Sequence, residues 1–390
     1  MSRRLTLVGL IATIGFQLRA PILGVPPVLP DVRDDLHLSF TAAGALTALP
    51  VLCLGAAAVP GAVLVNRFGA RRVIGAATVG LGLAALLRLA PPVPGALYLF
   101  TAVMALCAAI AQPAMAVVVR AWFPHAVQRG STVFTSALSL GGLGGATLSL
   151  RFLALGGWRA SFAFWALLAL AAGGLWLAAA PRRKAGREPE PAGLWELVRD
   201  PAVWHVAALF GGQSLIYYGA ASWIPFEIRS QGPGFLALVM LLLNVVGLPV
   251  AFMLVALPWP WARSRRFYAL AATLLTVATA GFALGLTGLA WLWAAILGVG
   301  GVMTFAGSTA LPALFARSPA HVAGYAALVL SAGYAISFGG PFLGGLLLDH
   351  THRVTSPFWL MTVVAATLVG LGLALPRHGP LAVPDDAQAA

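Results

Sequence analysis

The chain has 390 residues, of which 60% are hydrophobic and 9% are charged, and its mean hydropathy is +0.91. Ordinary soluble domains carry roughly 25% charged residues. Because 24 basic and 11 acidic side chains cannot cover the surface of a water-soluble protein of this length, that class is excluded. The net charge of +13 comes from arginines that stand singly or in short clusters, without interleaved aromatics, so we expect no nucleic-acid partner.

The first apolar run follows Ser2-Arg3-Arg4 directly. A secretory signal peptide is one interpretation of this pattern. However, apolar sequence resumes after Arg19 and continues to Pro30, and no small-x-small cleavage site follows. The run is long enough to span ~30 Å of hydrocarbon, so we expect a first transmembrane helix.

Twelve apolar runs follow one another along the chain, each bounded by charges or by Gly and Pro turns. Each has about the ~20 residues that a tilted membrane helix needs. They predict an all-α membrane protein with twelve transmembrane helices in two pseudo-symmetric six-helix bundles. The runs lie near 5–30, 41–65, 73–90, 95–119, 131–151, 160–180, 202–226, 234–257, 267–286, 289–314, 322–348 and 356–376.

A charged, proline-containing stretch at 182–191 separates the first six runs from the last six. Such a stretch is typical of a linker. We therefore expect an N-terminal bundle at 1–181, a cytoplasmic linker at 182–200, a C-terminal bundle at 201–378 and a disordered tail at 379–390.

A weak internal repeat favours two related halves. The spacing of Arg19, Gly24 and Pro30 recurs in the seventh run, as the set Ser214, Gly219 and Pro225. Small residues also recur in the fifth and eleventh runs, where they let helix backbones approach closely; these sets run from Gly130 to Gly145 and from Gly324 to Gly345.

The basic residues are distributed unequally between the two sides of the predicted membrane. Seventeen of the 24 fall on the side of the N-terminus and six on the opposite side, which leaves Arg19 within a span. By the positive-inside rule we expect a multi-pass protein of the inner, cytoplasmic membrane with both termini in the cytoplasm.

The loop between the second and third runs, Gly61–Arg72, reads Gly-Ala-Val-Leu-Val-Asn-Arg-Phe-Gly-Ala-Arg-Arg. It resembles the loop signature of the major facilitator superfamily, a Gly followed by Asp-Arg-x-Gly-x-Arg-Arg. The resemblance implies that Asn66, Arg67, Gly69, Arg71 and Arg72 form a conformational latch between the halves. Asn66 replaces the usual Asp and cannot supply the acidic partner, so we expect a weaker or rearranged latch.

Further fragments carry the same resemblance over essentially the whole chain: Trp122-Phe123-Pro124 with Arg129-Gly130, and Gly157–Phe162. Leu18–Pro30, Gly44–Pro50, Gln213–Gly219 and Trp223-Ile224-Pro225 resemble the cyanate and 2-nitroimidazole transporter family within that superfamily. That resemblance implies transport of a small planar solute, anionic in some members.

Arg19 lies ~14 residues into the first run, or ~21 Å along a helix with a rise of 1.5 Å per residue. A cation at that depth costs several kcal/mol and indicates by default a functional site that faces a cavity. The sequence places no carboxylate at similar depth, and the planar guanidinium suits carboxylate, nitrate-like or cyanate-like groups. The alternative is structural: Arg19 caps a broken helix or pairs with backbone carbonyls that prolines 21–30 release.

The sequence also bears on coupling of transport to protons. It places no carboxylate at mid-membrane depth, and all seven histidines fall in loops or at predicted helix ends. No histidine is therefore an obvious proton relay within the membrane. The sequence favours uniport, anion exchange, or symport in which the proton travels on the substrate.

Several uncharged polar residues at mid-helix depth can complete a solute site. Gln213 and Tyr217 share one helical face, and Ser214 and Tyr218 share the next. If the repeat holds, Ser214 lies opposite Arg19 at the midplane. The alternative role for these groups is interhelical hydrogen bonding. The expected solute contacts are Arg19, Gln213, Ser214, Tyr217, Tyr218, Asn244, Gln112 and Tyr334, with Ser331 a weaker member.

Signatures of an enzyme are missing from the sequence: it contains no His/Cys/Glu cluster at ligand spacing, no phosphate-binding loop and no Ser/His/Asp set at one depth. Cys53 and Cys107 lie singly in apolar runs, which argues against a disulfide framework or a thiolate metal site. We expect no enzymatic activity, no cofactor and no metal.

Together these patterns predict a secondary transporter, working as a monomer in the lipid bilayer, that moves a small planar anion by alternating access. Arg19 supplies the central anion-binding charge. Two alternatives stay open: a broad-specificity drug exporter of the same fold, and a membrane sensor that transports nothing. Flux into sealed liposomes and a substrate panel separate the three.

Overall fold

The computed structural model describes residues 2–56, 58–89, 94–181, 194–256, 264–315 and 319–375 of the chain, and these residues form helices, turns and bends without a β-strand. Its N-terminal helices are α1 (Ser2–Leu23), α2 (Leu29–Asp35), α3 (Phe40–Ala56), α4 (Ala58–Phe68), α5 (Ala70–Leu87), α6 (Pro94–Trp122) and α7 (Val127–Ala179). The others are α8 (Leu194–Val198), α9 (Pro201–Glu227), α10 (Pro233–Val245), α11 (Gly247–Ala256), α12 (Arg265–Ala283), α13 (Ala290–Phe315), α14 (Pro319–Ser337), α15 (Gly339–Thr351) and α16 (Ser356–Leu373).

The described helices form twelve spans. By length and composition, nine helical stretches of the described residues can cross a membrane. One of them, α7, is two helices that meet at Gly156 and Gly157, where Gly157 has a φ of 71° that favours glycine. The α3–α4 pair and the more polar α9 complete the set. The prediction of an all-α protein with twelve transmembrane helices is confirmed.

Prolines break several spans that the hydropathy pattern predicted as single helices. The first span was expected to continue to Pro30, but α1 ends at Leu23 and a 3₁₀ turn at Pro26–Val28 leads into α2. Proline has no N–H to donate to the preceding turn, which weakens a helix there, although α1 and α3 accommodate Pro21 and Pro50 without a break. Similar interruptions precede Pro249, between α10 and α11, and Pro341, between α14 and α15.

The predicted linker at 182–200 is only partly described. Its residues 182–193 lie outside the described part of the chain, and so does the predicted tail at 379–390. Residues 194–198, expected to be linker, form the short helix α8. Next, Asp200 accepts a hydrogen bond of 2.9 Å from the backbone N–H of Ala202 and so caps the start of α9.

Equivalent glycines bring equivalent helices together in the two halves, as the recurring small residues predicted. A Cβ on Gly145 of α7 would collide with the carbonyl oxygen of Ala20 in α1. In the second half, a Cβ on Gly340 would collide with the carbonyl oxygen of Leu215 in α9. Such contact between backbones requires glycine, and it fixes the rotation of α1 and α9 against their neighbours.

Two arginines at matching places close the ends of the last helix of each half. Arg71 donates a hydrogen bond of 2.7 Å from Nε to the carbonyl oxygen of Ala180 and a second from Nη2 to that of Leu177. Arg265 donates one of 2.6 Å from Nε to the carbonyl oxygen of Leu375. The last carbonyls of a helix lack intrahelical partners, so these guanidinium groups satisfy them.

The halves meet at the face that lies opposite the start of α1. We call it the distal face; it includes Asp31–Phe40, Arg229–Gln231 and the end of α15. Asp349 of α15 accepts hydrogen bonds across the halves from the backbone N–H groups of Phe40 and Thr41, at 2.9 and 2.7 Å, and from Thr41 Oγ1 at 2.6 Å. Arg229 donates to Asp34 at 2.6 Å. These contacts close the distal face.

Candidate functional site

A cavity of about 270 Å³ lies between the two halves, deep in the bundle. The helices α1 and α7 supply its wall on one side, and α9, α10, α11, α13 and α14 supply the other. It is lined by Arg19, Leu23, Thr135, Leu138, Ser139, Gly142, Gln213, Ser214, Tyr217, Tyr218, Leu243, Asn244, Leu248, Leu297, Gly298, Gly301, Val302, Phe305 and Tyr334. Most of the wall is therefore apolar or aromatic, with polar groups concentrated on α9 and the one charge on α1.

Arg19 is the charged residue of this wall. Its Nη2 donates a hydrogen bond of 3.0 Å to Tyr218 Oη, which belongs to the other half. In the described chain no carboxylate lies within ion-pair distance of Arg19. The structural alternative was that Arg19 caps a broken helix or pairs with backbone carbonyls that prolines 21–30 release, whereas its hydrogen bond goes to a tyrosine hydroxyl. Arg19 is thus a partly buried cation that faces a cavity and has a neutral partner.

Small residues on α7 let Arg19 reach the cavity. A Cβ on Gly142 would lie 3.4 Å from Cγ of Arg19 and 2.8 Å from Cδ1 of Leu23, and one on Gly141 would collide with the carbonyl oxygen of Phe16. A larger residue at these two positions would push α1 away from α7. The glycine pair therefore sets the depth and direction of the guanidinium.

Two tyrosines of α9 are fixed in different ways. Tyr217 donates a hydrogen bond of 2.7 Å to Asn244 Oδ1, and Asn244 in turn donates to the carbonyl oxygen of Met240 at 2.8 Å. The rings of Tyr217 and Tyr218 meet edge to face, with centroids 5.2 Å apart. The hydroxyl of Tyr217 is thus held toward α10, and that of Tyr218 toward Arg19.

The remaining predicted residues that line the cavity are Gln213, Ser214 and Tyr334. Ser214 Oγ donates a hydrogen bond of 3.1 Å to Gln213 Oε1. The ring of Tyr334 packs edge to face on Phe210, with centroids 5.2 Å apart. Gln213 is positioned near α13, because a Cβ on Gly301 would lie 3.5 Å from its Nε2.

Gln112, also predicted as a solute contact, does not line this cavity. On either side of it, Ile110 and Pro113 pack against Gly61 of α4. This part of α6 therefore faces the second span, a rotation that hydropathy does not reveal. Ser331, the weaker member, donates a hydrogen bond of 2.8 Å to the carbonyl oxygen of Gly55 in α3 and so joins the halves beside the cavity.

Sequence reasoning missed polar and aromatic wall residues. Thr135, Ser139 and Gly142 lie on one face of α7 at intervals of four and three residues, and all line the cavity. That periodic stripe was the available signal. Phe305 and Val302 of α13 carry no comparable signal, because an apolar side chain that faces a cavity and one that faces lipid look alike in a sequence.

The predicted latch residues lie at the face where α1 begins. Gly69 adopts a φ of 82° between α4 and α5, a conformation that favours glycine. Arg67 lies 5.2 Å from the ring centroid of Phe68, and Arg71 binds the end of α7 in its own half. Arg72 is exposed. Asn66, like the others, stays a predicted member of a latch.

The fold and this central cavity define a membrane-spanning solute transporter. The sequence model of the Major Facilitator Superfamily matches residues 5–338, and the chain belongs to that superfamily of transporters, which are not enzymes. A bacterial homologue of the human lysosomal transporter Spinster, in an inward-facing and occupied conformation, shares the fold with a TM-score of 0.79 at 14% identity, over 97% of each chain.

The relatives that match the sequence include three transporters. The uncharacterized transporter YycB of Bacillus subtilis is 26% identical over 361 residues, which is 91% of this chain and 89% of YycB. The 2-nitroimidazole transporter of Escherichia coli is 26% identical over 59% of each chain. The cyanate transport protein CynX of the same organism is 28% identical over 54% of this chain and 56% of its own length. The predicted resemblance to this group is confirmed.

Proposed function

We propose that this transporter moves a small planar anion by alternating access, with Arg19 as the central anion-binding charge. One observation carries the proposal: in the described chain Arg19 faces the cavity between the halves with a tyrosine hydroxyl as its partner and no carboxylate beside it. The charge of a partly buried guanidinium is poorly compensated by a neutral hydroxyl. An anion in the cavity would supply the missing charge.

The shape and chemistry of the cavity support a small planar solute. Its volume of about 270 Å³ is slightly below the common range for ligand pockets, roughly 300–1,000 Å³. Tyr217, Tyr218, Tyr334 and Phe305 give it flat aromatic walls, and the guanidinium offers a planar set of donors. Cyanate, nitrate-like, carboxylate and nitroimidazole-like solutes all fit this description. The two substrates named for the relatives lie within it.

The position of Arg19 gives a mechanism for coupling solute binding to the conformational switch. Tyr218 belongs to the C-terminal half, so the hydrogen bond from Arg19 already joins the two halves at the site. Without an anion, closing the cavity further would desolvate an unneutralised charge, which is unfavourable. With an anion bound, that cost falls and the occluded state becomes accessible. Gln213 and the tyrosines would then close over the solute.

The orientation of the chain in the membrane and its division into two bundles belong to the same proposal. The arginine bias favours both termini in the cytoplasm of an inner membrane, and the closed distal face would then be the external one. We assign 1–181 and 201–378 to the two moving bundles, 182–200 to the linker and 379–390 to the tail, in a monomer. Asn66, Arg67, Gly69, Arg71 and Arg72 would form the latch loop at the cytoplasmic face.

The test is a thermal-shift screen of purified protein against cyanate, nitrate, short carboxylates and nitroimidazoles, followed by uptake into proteoliposomes. A ligand at 100 times its Kd stabilises by about 2.7 kcal/mol, which such a screen detects. We expect an anion-selective shift and anion flux in the wild type, and their loss in Arg19→Ala. Arg19→Lys keeps the charge but not the planar fork, so weaker binding is expected.

Gln112→Ala is the matched control, because Gln112 is a polar residue at similar depth that does not line the cavity. It should bind and transport like the wild type. Unchanged anion binding in both Arg19 variants would refute the proposal. Stabilisation by bulky apolar cations alone would indicate a drug exporter, and binding without flux would indicate a sensor.

A further inference from the structure

A second buried arginine lies outside the transport cavity. Arg88 directly follows α5, and only 3% of its surface is exposed. Its Nη1 lies 3.3 Å from Sδ of Met104 in α6, and its Cζ lies 4.0 Å from the ring centroid of Phe162 in α7. The other two donor nitrogens of the guanidinium, Nε and Nη2, are buried without a hydrogen-bond partner. A thioether and an aromatic face are weak partners for a cation.

Two buried hydroxyls without partners belong to the same two helices that contact this guanidinium. Thr101 and Ser161 are 0% exposed, and neither Thr101 Oγ1 nor Ser161 Oγ has a hydrogen-bond partner. Thr101 is one helical turn before Met104 on the same face of α6, and Ser161 directly precedes Phe162. Met104 and Phe162 both contact Arg88, so each hydroxyl lies within one helical turn of a residue that touches the guanidinium.

Both hydroxyls lack the local backbone hydrogen bond that other buried hydroxyls in helices of this protein make. Thr78 in α5 and Thr304 in α13 each donate to the carbonyl oxygen four residues earlier, at 2.8 and 2.9 Å. This local bond is the usual way to satisfy a helical Ser or Thr. Thr101 and Ser161 do not make it, so their donors remain available to a third group between α5, α6 and α7.

The charge decides what kind of group fits these donors. In the described residues no carboxylate forms an ion pair with Arg88. A water molecule can accept hydrogen bonds but leaves the charge unneutralised in a low-dielectric interior. A small monovalent anion neutralises the guanidinium and accepts from several donors at once, with the stronger charge-assisted bonds.

We propose that a small inorganic anion of halide or nitrate size binds between α5, α6 and the second half of α7. Arg88 Nε and Nη2 hold it, and the hydroxyls of Thr101 and Ser161 complete its shell. None of these residues lines the transport cavity, so this site does not depend on Arg19. The anion ties three helices of one half together near the distal face and acts as a structural ligand, distinct from the transported solute.

The experiment uses the full-length protein in detergent, with chloride replaced by gluconate at constant ionic strength. Bromide is titrated and the melting temperature followed, in the wild type, in Arg19→Ala and in Arg88→Met. We expect a saturable stabilisation that survives in Arg19→Ala and disappears in Arg88→Met. Arg151→Met removes an exposed arginine from the same half and should leave the bromide response unchanged.

A second pair of variants keeps the test decisive if Arg88→Met does not fold. Thr101→Val and Ser161→Ala leave the cation in place and should each weaken bromide binding roughly ten- to a hundredfold, as expected when a hydrogen bond to a charged group is lost. Bromide anomalous scattering from crystals should place the ion beside Arg88. No bromide stabilisation, an unchanged affinity in both hydroxyl variants, or stabilisation that vanishes in Arg19→Ala would overturn the proposal.

Discussion

Asp349 should hold the distal face shut, and its removal should open that face. Its carboxylate accepts three hydrogen bonds from the start of α3, at 2.9, 2.7 and 2.6 Å, and all three cross between the halves. Bonds to a charged group contribute roughly 1.5–3 kcal/mol each when buried. Asp349 is only half-buried, so we take a total of about 2–4 kcal/mol for Asp349→Ala. That changes the ratio of closed to open states by roughly 30-fold to 1,000-fold.

The assay is a distance measurement by pulsed electron paramagnetic resonance between spin labels on the distal face. Leu155 at the end of the first part of α7 and Leu286 before α13 are exposed, lie in different halves and can be replaced by cysteine. The native thiols of Cys53 and Cys107 are removed first. We expect one short distance in the parent protein and a second, longer population in Asp349→Ala.

Asp35 provides a matched control on the same face. Its carboxylate also accepts hydrogen bonds, from Trp158 Nε1 at 3.1 Å and from Arg159 at 2.7 Å, but both donors belong to its own half. Asp35→Ala should therefore leave the distance distribution unchanged. An unchanged distribution in Asp349→Ala, or an equal shift in both variants, would refute the assignment of Asp349 as the closing contact.

Two further predictions concern stability and are measured by thermal unfolding in detergent. Gly141→Ala places a Cβ against the carbonyl oxygen of Phe16 and should destabilise the protein by about 1–3 kcal/mol. Gly174→Ala, in the second part of α7, meets nothing within 4 Å and should be tolerated, so equal melting temperatures would contradict this prediction. Arg71→Ala should lower the melting temperature, because it removes the hydrogen bonds at the end of α7. Arg72→Ala, at an exposed position, should leave the melting temperature unchanged. A similar loss in both variants would mean that charge alone matters.

The transmembrane organisation was predictable because its causes are local. Lipid requires about twenty apolar residues per crossing and satisfied backbone groups, so hydropathy and Pro or Gly boundaries are enough to count the spans. The same logic singled out Arg19, since a charge inside an apolar run is costly wherever the run packs. The depth of a residue along its helix is a property of the sequence.

The direction in which a residue faces depends on tertiary packing. Gln112 has the polarity and depth of a solute contact, yet the packing of α6 against Gly61 turns that part of the helix away from the cavity. Tyr218 becomes the partner of Arg19 only because the glycine contacts of α1 and α9 set the rotation of both helices. Rotation is decided by contacts between residues far apart in the chain.

The sequence by itself thus determined the class of protein, the number of spans, the repeat and the one cation of the central site. The tertiary structure alone decided which helices the prolines interrupt, which side chains share the cavity, and that Asp349 joins the halves at the distal face. It also buried Arg88 between Met104 and Phe162 of two other helices. The apolar content of each segment decides whether that segment crosses the membrane. The other features arise from contacts between residues far apart in the chain, which no local pattern encodes.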